Sequence, residues 1–467
     1  MPETTAIGSR LREGRTPSAV PIVPPKLTAP SVPVPVTPSY PLPAPGSLVG
    51  RQRELGLILA ALPDELSQPV KSRLVLLAAE AGMGKTRLLA EVARHAVEHE
   101  TLVLAGGCYE EEGRLSWGPI HDALLDYVRA QPDDMLYAQL GDLLPQLVQI
   151  VPELQPRLPH VPELPSTDAE TQRLRLFSTV AQILERISSD RRLLLLLDDL
   201  HWADEVTLQV LHFLLRQPGL ERVLLLGAYR SDEMAPGTQL ARLVDKAGET
   251  LSIPTVSVQA LSADDTSKVL AERVGGKCDM GLISTLHERS AGNPFFAMQM
   301  FRLLEREGRV RLDGGSWRLA PGAQVDLPPA VRDTIARRLR LVEPAVRTTL
   351  GLGAVLGREF PFAALEAMAD ASEDVLFGEL DAAREAHLIR ESGDGYAFVH
   401  PLLWEVAYGR VPDQRRRRLH EGATLALERL YGDSSEEHVA ELAWHAVEAG
   451  SSERSVRYRI RRPPSPD

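Results

Sequence analysis

The run EAGMGKT, at positions 80–86, follows an apolar segment and combines two glycines with a lysine and a threonine. Glycines permit the tight turns that bring backbone N–H groups around a phosphate, lysine reaches the outer phosphate oxygens, and a threonine hydroxyl is a ligand for Mg²⁺. We therefore predict that six consecutive residues bind a nucleotide: Gly82, Met83, Gly84, Lys85, Thr86 and Arg87. The usual pattern starts with glycine where this chain has Ala79, and alanine fits there if its φ angle is negative.

An acidic partner for this loop is supplied by the run LLLLLDDLHWAD, at positions 193–204. We expect this run to form a strand that neighbours the strand before the loop and ends in the two aspartates. Asp198 would hold Mg²⁺ through water, beside the Thr86 hydroxyl, and Asp199 would orient or deprotonate an attacking water. The predicted chemistry is hydrolysis of ATP to ADP, with Lys85 and Asp199 as catalytic residues.

Two further charged residues follow apolar runs. Arg230, in LLLGAYRSDE, ends the next predicted strand, where a guanidinium is placed to sense the γ-phosphate and to complete the catalytic set. His400, in YAFVHP, follows a predicted hairpin, and the pattern alone is equally typical of a histidine that only packs there. The basic run Arg415–Arg418 is best explained as a solvated helix face.

The residues with this chemistry must be positioned by a buried sheet. Four apolar runs have the length of strands: RLVLLA (73–78), TLVLAG (101–106), LLLLLD (193–198) and VLLLGAY (223–229). Continuous apolar runs are typical of parallel strands that are covered on both faces, and helical periods lie between these runs. The sequence therefore predicts an α/β fold up to about Arg230.

The pattern changes after Leu261. We predict helices over 262–308, a hairpin over 309–320, further helices from about Pro329, and a second hairpin over 387–400. Helices followed by a two-stranded wing predict a winged-helix domain over 327–430.

Composition and charge exclude several functional classes. The chain has 467 residues, 44% of them hydrophobic, and a formal net charge of −12, which argues against nucleic-acid binding by the whole surface. No apolar run reaches the roughly 18 residues of a membrane-spanning helix. Cys108 and Cys278 are too few and too far apart for a local metal motif, so we expect reduced, buried thiols and a cytoplasmic location.

Taken in order, these motifs resemble the STAND-type P-loop ATPases, an AAA-like group found in large LuxR-type and related bacterial regulators. The resemblance extends over about 47–450 through these segments: SLVGRQREL (47–55), EAGMGKTRLLAEV (80–92), CYEEEGRLSWGPIHDAL (108–124), LLLLLDDLHWADEVTL (193–208), LLLGAYRSDE (224–233), SAGNPFF (290–296), LPPAVRDTIARRL (327–339), GAVLGREF (353–360) and YAFVHPLLWEVAYGRV (396–411). It departs from the family pattern at Ala79 and at Ala228, where threonine is common.

The resemblance implies roles for four more residues. Val49 and Gly50 would lie against the adenine, Pro294 would pack on the base, and His400 would contact the diphosphate of a bound nucleotide. It also implies five segments: a proline-rich disordered linker (1–46), a P-loop NTPase core with a parallel sheet (47–255), a helical lid with a hairpin (256–326), a winged-helix domain (327–430) and the start of TPR-like helical repeats (431–467).

Members of that group usually continue into helical repeats and an effector. HVAELAWHAVEAG (438–450) resembles the opening of such repeats, and PETTAIGSRLREGR (2–15) resembles the last helix of a bacterial transcriptional activation domain. We therefore expect the chain to be the switch core of a larger transcriptional regulator, either a fragment or a truncated gene product.

Three functions remain open from the sequence. The first is a switch that binds ATP or ADP with Mg²⁺, hydrolyses ATP slowly, and self-associates on ATP binding, with DNA contacts only through domains outside this chain. The second is an AAA-type DNA-binding ATPase similar to an origin-recognition loader. The third is a nucleotide-binding module without turnover. No membrane partner is expected, and the inducer cannot be read from the sequence.

Overall fold

The computed structural model describes residues 36–43, 47–62, 69–70, 72–110, 117–162, 164, 169–234, 238–250, 253–432 and 438–450. The predicted activation-domain helix at 2–15, most of the predicted linker at 1–46 and the chain after residue 450 lie outside these ranges.

A five-stranded parallel sheet forms the centre of the first half of the chain. Its strands have the spatial order β2-β3-β4-β1-β5. Their bounds are β1 Leu74–Ala79, β2 Leu102–Gly107, β3 Leu193–Asp198, β4 Val223–Arg230 and β5 Thr255–Ser257. The four strands predicted from apolar runs are confirmed. The fifth was not predicted, because Thr255–Ser257 is short and buries only its central valine, and it crosses the predicted domain boundary at residue 255.

Parallel register brings the carboxyl ends of these strands to one edge of the sheet. Ala79 is paired with Arg230, and Gly107 is paired with Asp198. Strand β4 lies between β1 and β3, so the prediction that the strand of Asp198 directly neighbours the strand before the loop was wrong. Asp198 and the loop still meet, because side chains at a shared edge reach across one intervening strand.

Helices cover both faces of the sheet. Alternate strand residues enter two separate apolar clusters, with Leu74 and Leu76 on one face and Val75 and Leu77 on the other. This alternation explains the unbroken apolar runs, since a parallel strand buried on both faces has no polar side. The flanking helices are α1 Gln52–Leu59, α2 Lys85–Glu98, α3 Gly118–Ala130, α4 Asp133–Leu140, α5 Leu144–Ile150, α6 Ala169–Ile187, α7 Glu205–Leu214 and α8 Gln239–Thr250.

Three helices and a small sheet follow β5. The helices are α9 Ala263–Val274, α10 Met280–Ser290 and α11 Pro294–Arg306, and the strands are β6 Lys277–Cys278, β7 Val310–Asp313 and β8 Ser316–Leu319. The hairpin of β7 and β8 was predicted. The prediction of helices alone over 262–308 was wrong at Lys277–Cys278, which pairs in parallel with β8. This two-residue strand has no periodicity that a sequence pattern could reveal.

The remaining elements pack around a second apolar core. The helices are α12 Pro329–Arg340, α13 Pro344–Leu356, α14 Phe362–Met368, α15 Glu373–Glu385, α16 Pro401–Gly409, α17 Asp413–Tyr431 and α18 Val439–Glu448, and the strands are β9 Glu359–Pro361, β10 Ile389–Ser392 and β11 Gly395–Phe398. The predicted second hairpin is formed by β10 and β11, and β9 adds a third antiparallel strand to it. That these elements form a winged-helix domain stays a prediction.

In the described ranges, every helix is too short or too polar to cross a lipid bilayer. Both cysteines are buried and unpaired, as expected.

Candidate functional site

The loop between β1 and α2 has the backbone conformation that its glycines permit. Gly82 and Gly84 have φ angles of 80° and 94°, in the left-handed region that side chains disfavour. Helix α2 begins at Lys85, so the first N–H groups of the helix point into the loop, where they attract anions. Ala79 is the last residue of β1 and has a negative φ, which explains why alanine is tolerated in place of the usual glycine.

Lys85 lies under this loop rather than in solvent. Its side chain is buried, and Nζ donates to the carbonyl oxygens of Ala79 and Glu80 at 3.1 and 3.3 Å. Burial lowers the pKa of Lys85, although the nearby carboxylate of Asp232 opposes that shift. A buried ammonium held only by neutral carbonyls would gain strongly from an anion in the loop.

The predicted metal ligands are in contact. Thr86 Oγ1 donates to Asp198 Oδ2 at 2.7 Å, and the other oxygen of Asp198 accepts the N–H of Asp199 at 2.8 Å. A hydroxyl and a carboxylate beside a phosphate-binding loop fit Mg²⁺, because this ion takes few protein oxygens and completes its shell with phosphates and water. The residues that the structure describes contain no group of three His, Cys, Asp or Glu side chains placed to hold a metal, here or elsewhere.

Asp199 has a backbone conformation that is uncommon for a residue with a side chain. Its φ is 55°, and such strain is concentrated at functional sites. Burial raises the pKa of the Asp199 carboxyl, and the charge of Asp198 raises it further. Two side chains approach it from one side: Arg230 Nε lies 3.8 Å from Oδ1, and His201 Nε2 lies 3.9 Å from the same oxygen.

Arg230 is fixed at the end of β4. Its Nη1 donates to Glu233 Oε1 at 2.5 Å, and its guanidinium carbon lies 4.9 Å from the ring centre of Trp202. Burial alone would raise the pKa of Glu233, but His201 and Arg230 overcome it and lower the pKa to about 2. Arg230 also lines a cavity of about 380 Å³ that reaches Gly82 of the loop. That it senses the γ-phosphate stays a prediction.

A second cavity, of about 340 Å³, lies on the other side of the loop. The predicted residues that line it are Val49, Gly82, Met83, Gly84, Arg87 and Pro294. Helices α9 and α11 close it, and Gly50 is held against α9 so tightly that an added Cβ would come within 2.8 Å of Asp265 Oδ2. The structure therefore brings residues distant in the sequence around one space of the size that a nucleoside requires.

His400 lines neither of these two cavities. Its Nδ1 accepts the N–H of Leu402 at 3.0 Å and caps α16, while Nε2 lies 3.0 Å from the carbonyl oxygen of Ser290. Burial lowers the pKa of His400 to about 4, so the ring is neutral and Nε2 donates to that carbonyl. Contact between His400 and a diphosphate stays a prediction.

Two residues that the sequence predictions did not select join other segments to the loop. Asn293 Nδ2 donates to the carbonyl oxygen of Ala81 at 2.9 Å, while its Oδ1 caps α11. Arg51, directly after Val49 and Gly50, is buried and donates to the carbonyl oxygen of Met83 at 3.3 Å. Asparagine before a proline at a helix start was a usable signal.

Arg338 of α12 joins the last third of the chain to the same site. Its Nη1 lies 3.3 Å from Glu80 Oε2, its Nε lies 3.4 Å from Asp232 Oδ2, and its Nη2 donates to the carbonyl oxygen of His387 at 3.0 Å. Arg338 was missed, yet it shares a helix face with the buried Val331 and Ile335. An arginine on the apolar face of a helix is a signal of a buried ion pair.

Comparison with known protein families finds a match in the first half of the chain. Residues 47–226 match the AAA ATPase domain family. The parallel sheet with the loop at its carboxyl edge is the α/β core of a P-loop NTPase. In a P-loop ATPase the loop binds nucleotide, usually together with Mg²⁺. No curated protein matches the sequence.

Solved structures similar to the chain include three ATPase folds. A Walker-type ATPase of Pyrococcus abyssi aligns with 77% of this chain and 96% of its own length, at 13% identity and a TM-score of 0.45. A STAND protein with a tetratricopeptide repeat sensor from Pyrococcus horikoshii aligns over 90% of this chain, at 13% identity and a TM-score of 0.35, and the chain spans 50% of that protein. Cdc6p from Pyrobaculum aerophilum aligns over 80% of this chain and 96% of its own, at 13% identity and a TM-score of 0.34.

Proposed function

We propose that the chain is a nucleotide-operated switch that binds ADP or ATP with Mg²⁺ and hydrolyses ATP slowly. One observation carries this proposal: Arg338, from the last third of the chain, lies between Glu80 of the phosphate-binding loop and Asp232, just beyond β4. Both acids are in segments that would surround the outer phosphate. A change in the charge of the bound nucleotide would therefore alter the strength of the Arg338 ion pairs, which attach the C-terminal elements to the site.

Binding would use the two cavities on either side of the loop. The base would enter the space beside Val49 and Pro294, the phosphates would meet the loop and the start of α2, and Lys85 would turn from its two carbonyls toward the β- and γ-phosphates. Thr86 and Asp198 would hold Mg²⁺, which neutralises phosphate charge when it is bound. Arg51 and Asn293 would keep the loop in the shape that the phosphates require, because each binds one of its carbonyls.

Slow hydrolysis follows from the state of Asp199. As the base that receives a proton from water, Asp199 must present a free carboxylate oxygen. In this arrangement Oδ1 faces Arg230 and His201, and Arg230 is itself held by Glu233. Proton transfer to Oδ1 would need these contacts to rearrange, which suits a switch with a long-lived bound state better than a motor.

The switch would work by shifting a population between two arrangements. A ligand moves such an equilibrium only as far as its affinities for the two states differ. ADP would favour the arrangement in which Arg338 meets Glu80 and Asp232, with Pro294 over the base and His400 near the diphosphate. ATP would weaken that arrangement and expose surfaces for self-association or for an effector.

The wider role is proposed as that of the ATPase core of a cytoplasmic bacterial transcriptional regulator, with a winged-helix domain over 327–430. The order of motifs in the sequence supports this role, and so do the two buried thiols. DNA contacts would be made by domains outside this chain. A module that binds nucleotide without turnover is a second candidate, and the restrained carboxylate of Asp199 favours it over a motor.

The deciding experiment measures binding of a fluorescent ADP derivative to the full chain and to Lys85→Ala. Loss of binding is expected, because the buried ammonium would be the main counter-charge of the phosphates. Lys277→Ala is the matched control, since Lys277 is exposed on β6 and lines neither of the two cavities. Unchanged affinity in Lys85→Ala, with normal thermal unfolding, would refute the proposed function.

A further inference from the structure

A short segment before the ATPase core reaches the predicted magnesium site. Residues 36–43 lie at the edge where β2 and β3 end, and the hydroxyl of Tyr40 donates to Asp198 Oδ2 at 3.0 Å. This oxygen is the one that also accepts the hydroxyl of Thr86. The predicted linker therefore ends in a specific contact with a residue predicted to hold Mg²⁺.

The segment is docked by more than this one bond. Ser39 donates twice to Asp126 Oδ2, from its N–H at 2.6 Å and from its hydroxyl at 2.9 Å, and Val36 is buried in the apolar core. The Tyr40 ring lies against Gly107, where an added Cβ would come within 2.1 Å of Cε2. Only glycine at the end of β2 leaves room for this ring.

No acceptor site is left on Oδ2 of Asp198, the oxygen that faces Thr86. A carboxylate oxygen has two lone pairs, and Oδ2 already accepts from Thr86 and Tyr40. The remaining oxygen, Oδ1, accepts the N–H of Asp199 at 2.8 Å. A Mg²⁺-bound water that meets Asp198 at this oxygen, beside Thr86, would need the lone pair that Tyr40 now uses.

We propose that residues 36–43 form a strap that inhibits the site, in which Tyr40 takes the place of a magnesium-bound water on Asp198 and must leave before Mg²⁺ is held. This inference rests on the proposed function, since it concerns metal binding at the same nucleotide site. The coupling is reciprocal: if release of the strap strengthens binding of Mg²⁺ and nucleotide, their binding favours release of the strap by the same free energy. Release of Tyr40 would thus make the residues before position 36 respond to the nucleotide that is bound.

The test measures the Mg²⁺ concentration at which the increase in ATP affinity is half-maximal. A separate measurement gives the affinity for a fluorescent ADP derivative in EDTA, where Mg²⁺ is removed. In Tyr40→Phe the half-maximal Mg²⁺ concentration should fall roughly three- to ten-fold, because one hydrogen bond to a charged group is removed. Affinity in EDTA should stay within about two-fold of wild type. Gly107→Ala should act in the same direction, since its Cβ would expel the ring.

Tyr431→Phe is the matched control, because its hydroxyl also donates to a carboxylate, Glu441 Oε2, at 2.9 Å but lies far along the chain on α17. An unchanged or increased Mg²⁺ requirement in Tyr40→Phe, with normal affinity in EDTA, would overturn the strap and leave the proposed function standing. No nucleotide binding by the wild-type chain would overturn both. Protection of residues 36–43 from hydrogen exchange should also fall when Mg²⁺ and ATP are added together, and unchanged protection would contradict the strap.

Discussion

Arg338 and Glu80 lie 3.3 Å apart, although 258 positions separate them in the sequence. The same guanidinium faces Asp232, whose carboxylate is almost fully buried. This contact ties α12 to both loops that would surround the outer phosphate. The stability of the chain and its rate of ADP release are expected to depend on the strength of this ion pair.

Replacement of Arg338 by alanine should destabilise the protein strongly. It would leave the buried carboxylate of Asp232 without its cation, which typically costs about 3–5 kcal/mol of unfolding free energy. Release of bound ADP should also become faster, by roughly five-fold or more. Urea unfolding and stopped-flow displacement would measure the two effects. Arg337→Ala, the control, removes an ion pair with Glu110 on the surface, so its loss of unfolding free energy should stay below about 1 kcal/mol. Equal losses in the two variants would contradict a stabilising buried ion pair at Arg338.

Substitution of the two loop glycines should have unequal effects. Both have positive φ angles, so alanine costs about 1–2 kcal/mol of backbone strain at either position. At Gly82 the new Cβ would also lie 2.8 Å from Phe295 Cβ and 2.9 Å from Asn293 Oδ1, whereas no atom lies within 4 Å at Gly84. The unfolding free energy of Gly82→Ala, without nucleotide, should therefore be lower by a further 1–3 kcal/mol, as is usual for about one methyl of overpacking. Equal stability of the two variants would show that the start of α11 does not pack tightly against the loop at Gly82.

Asp199→Asn should separate binding from turnover. Asparagine tolerates the left-handed backbone conformation of this position, so the fold should be preserved, but its amide cannot accept a proton. Steady-state ATP turnover should fall roughly 10²-fold, while ADP affinity changes less than about two-fold. Asp190→Asn, an exposed acid before β3, is the control. If Asp199→Asn and wild type turn over ATP at the same background rate, the chain is a module without hydrolysis.

Acid should weaken the packing of the last helices. His420 and His445 are fully buried with their Nδ1 atoms 2.9 Å apart, and the outer nitrogen of His420 lies 2.9 Å from the Tyr408 hydroxyl. Burial lowers the pKa of both rings to about 4, and the charge of Arg416 adds to the effect on His420. The unfolded rings bind protons near pH 6.5.

The sign of the pH effect follows from those values. Both rings are neutral in the folded protein above pH 4, so their stabilising contribution is complete above about pH 6.5 and is lost as the pH falls toward 4. Protonation of one of the two rings should lower the unfolding free energy by on the order of 3 kcal/mol. Urea unfolding followed by tryptophan fluorescence between pH 7 and 4 would measure it. His420→Phe should flatten this pH dependence; replacing His99, which is exposed, should leave it unchanged, and a flat wild-type profile would contradict the assignment.

The parts of the site that the sequence predicted are those encoded by local patterns. The loop at 80–86 and the two aspartates at 198 and 199 each follow a continuous apolar run, and a buried parallel strand requires such a run. Their residue types are dictated by phosphate and metal chemistry, and both requirements are visible within a dozen positions. The strands were correct for the same reason, apart from the short β5 and β6.

The contacts between segments could not be predicted in this way. Nothing local distinguishes Arg338 from Arg337 except its place on the apolar face of α12, and nothing in a proline-rich run says that Tyr40 will meet Asp198. The position of β4 between β1 and β3 is also a matter of topology, which strand patterns do not encode. Such contacts depend on the relative placement of whole elements, and a sequence pattern describes each element alone.

Asn293 uses both ends of one amide, with the oxygen on the first N–H groups of α11 and the nitrogen on Ala81. The helix that begins there has 13 residues, which makes it about 20 Å long. The loop backbone and the start of α11 are therefore coupled through one side chain. If a bound phosphate displaced the carbonyl of Ala81, Asn293 would pass that displacement to the first turn of α11, which lines the second cavity.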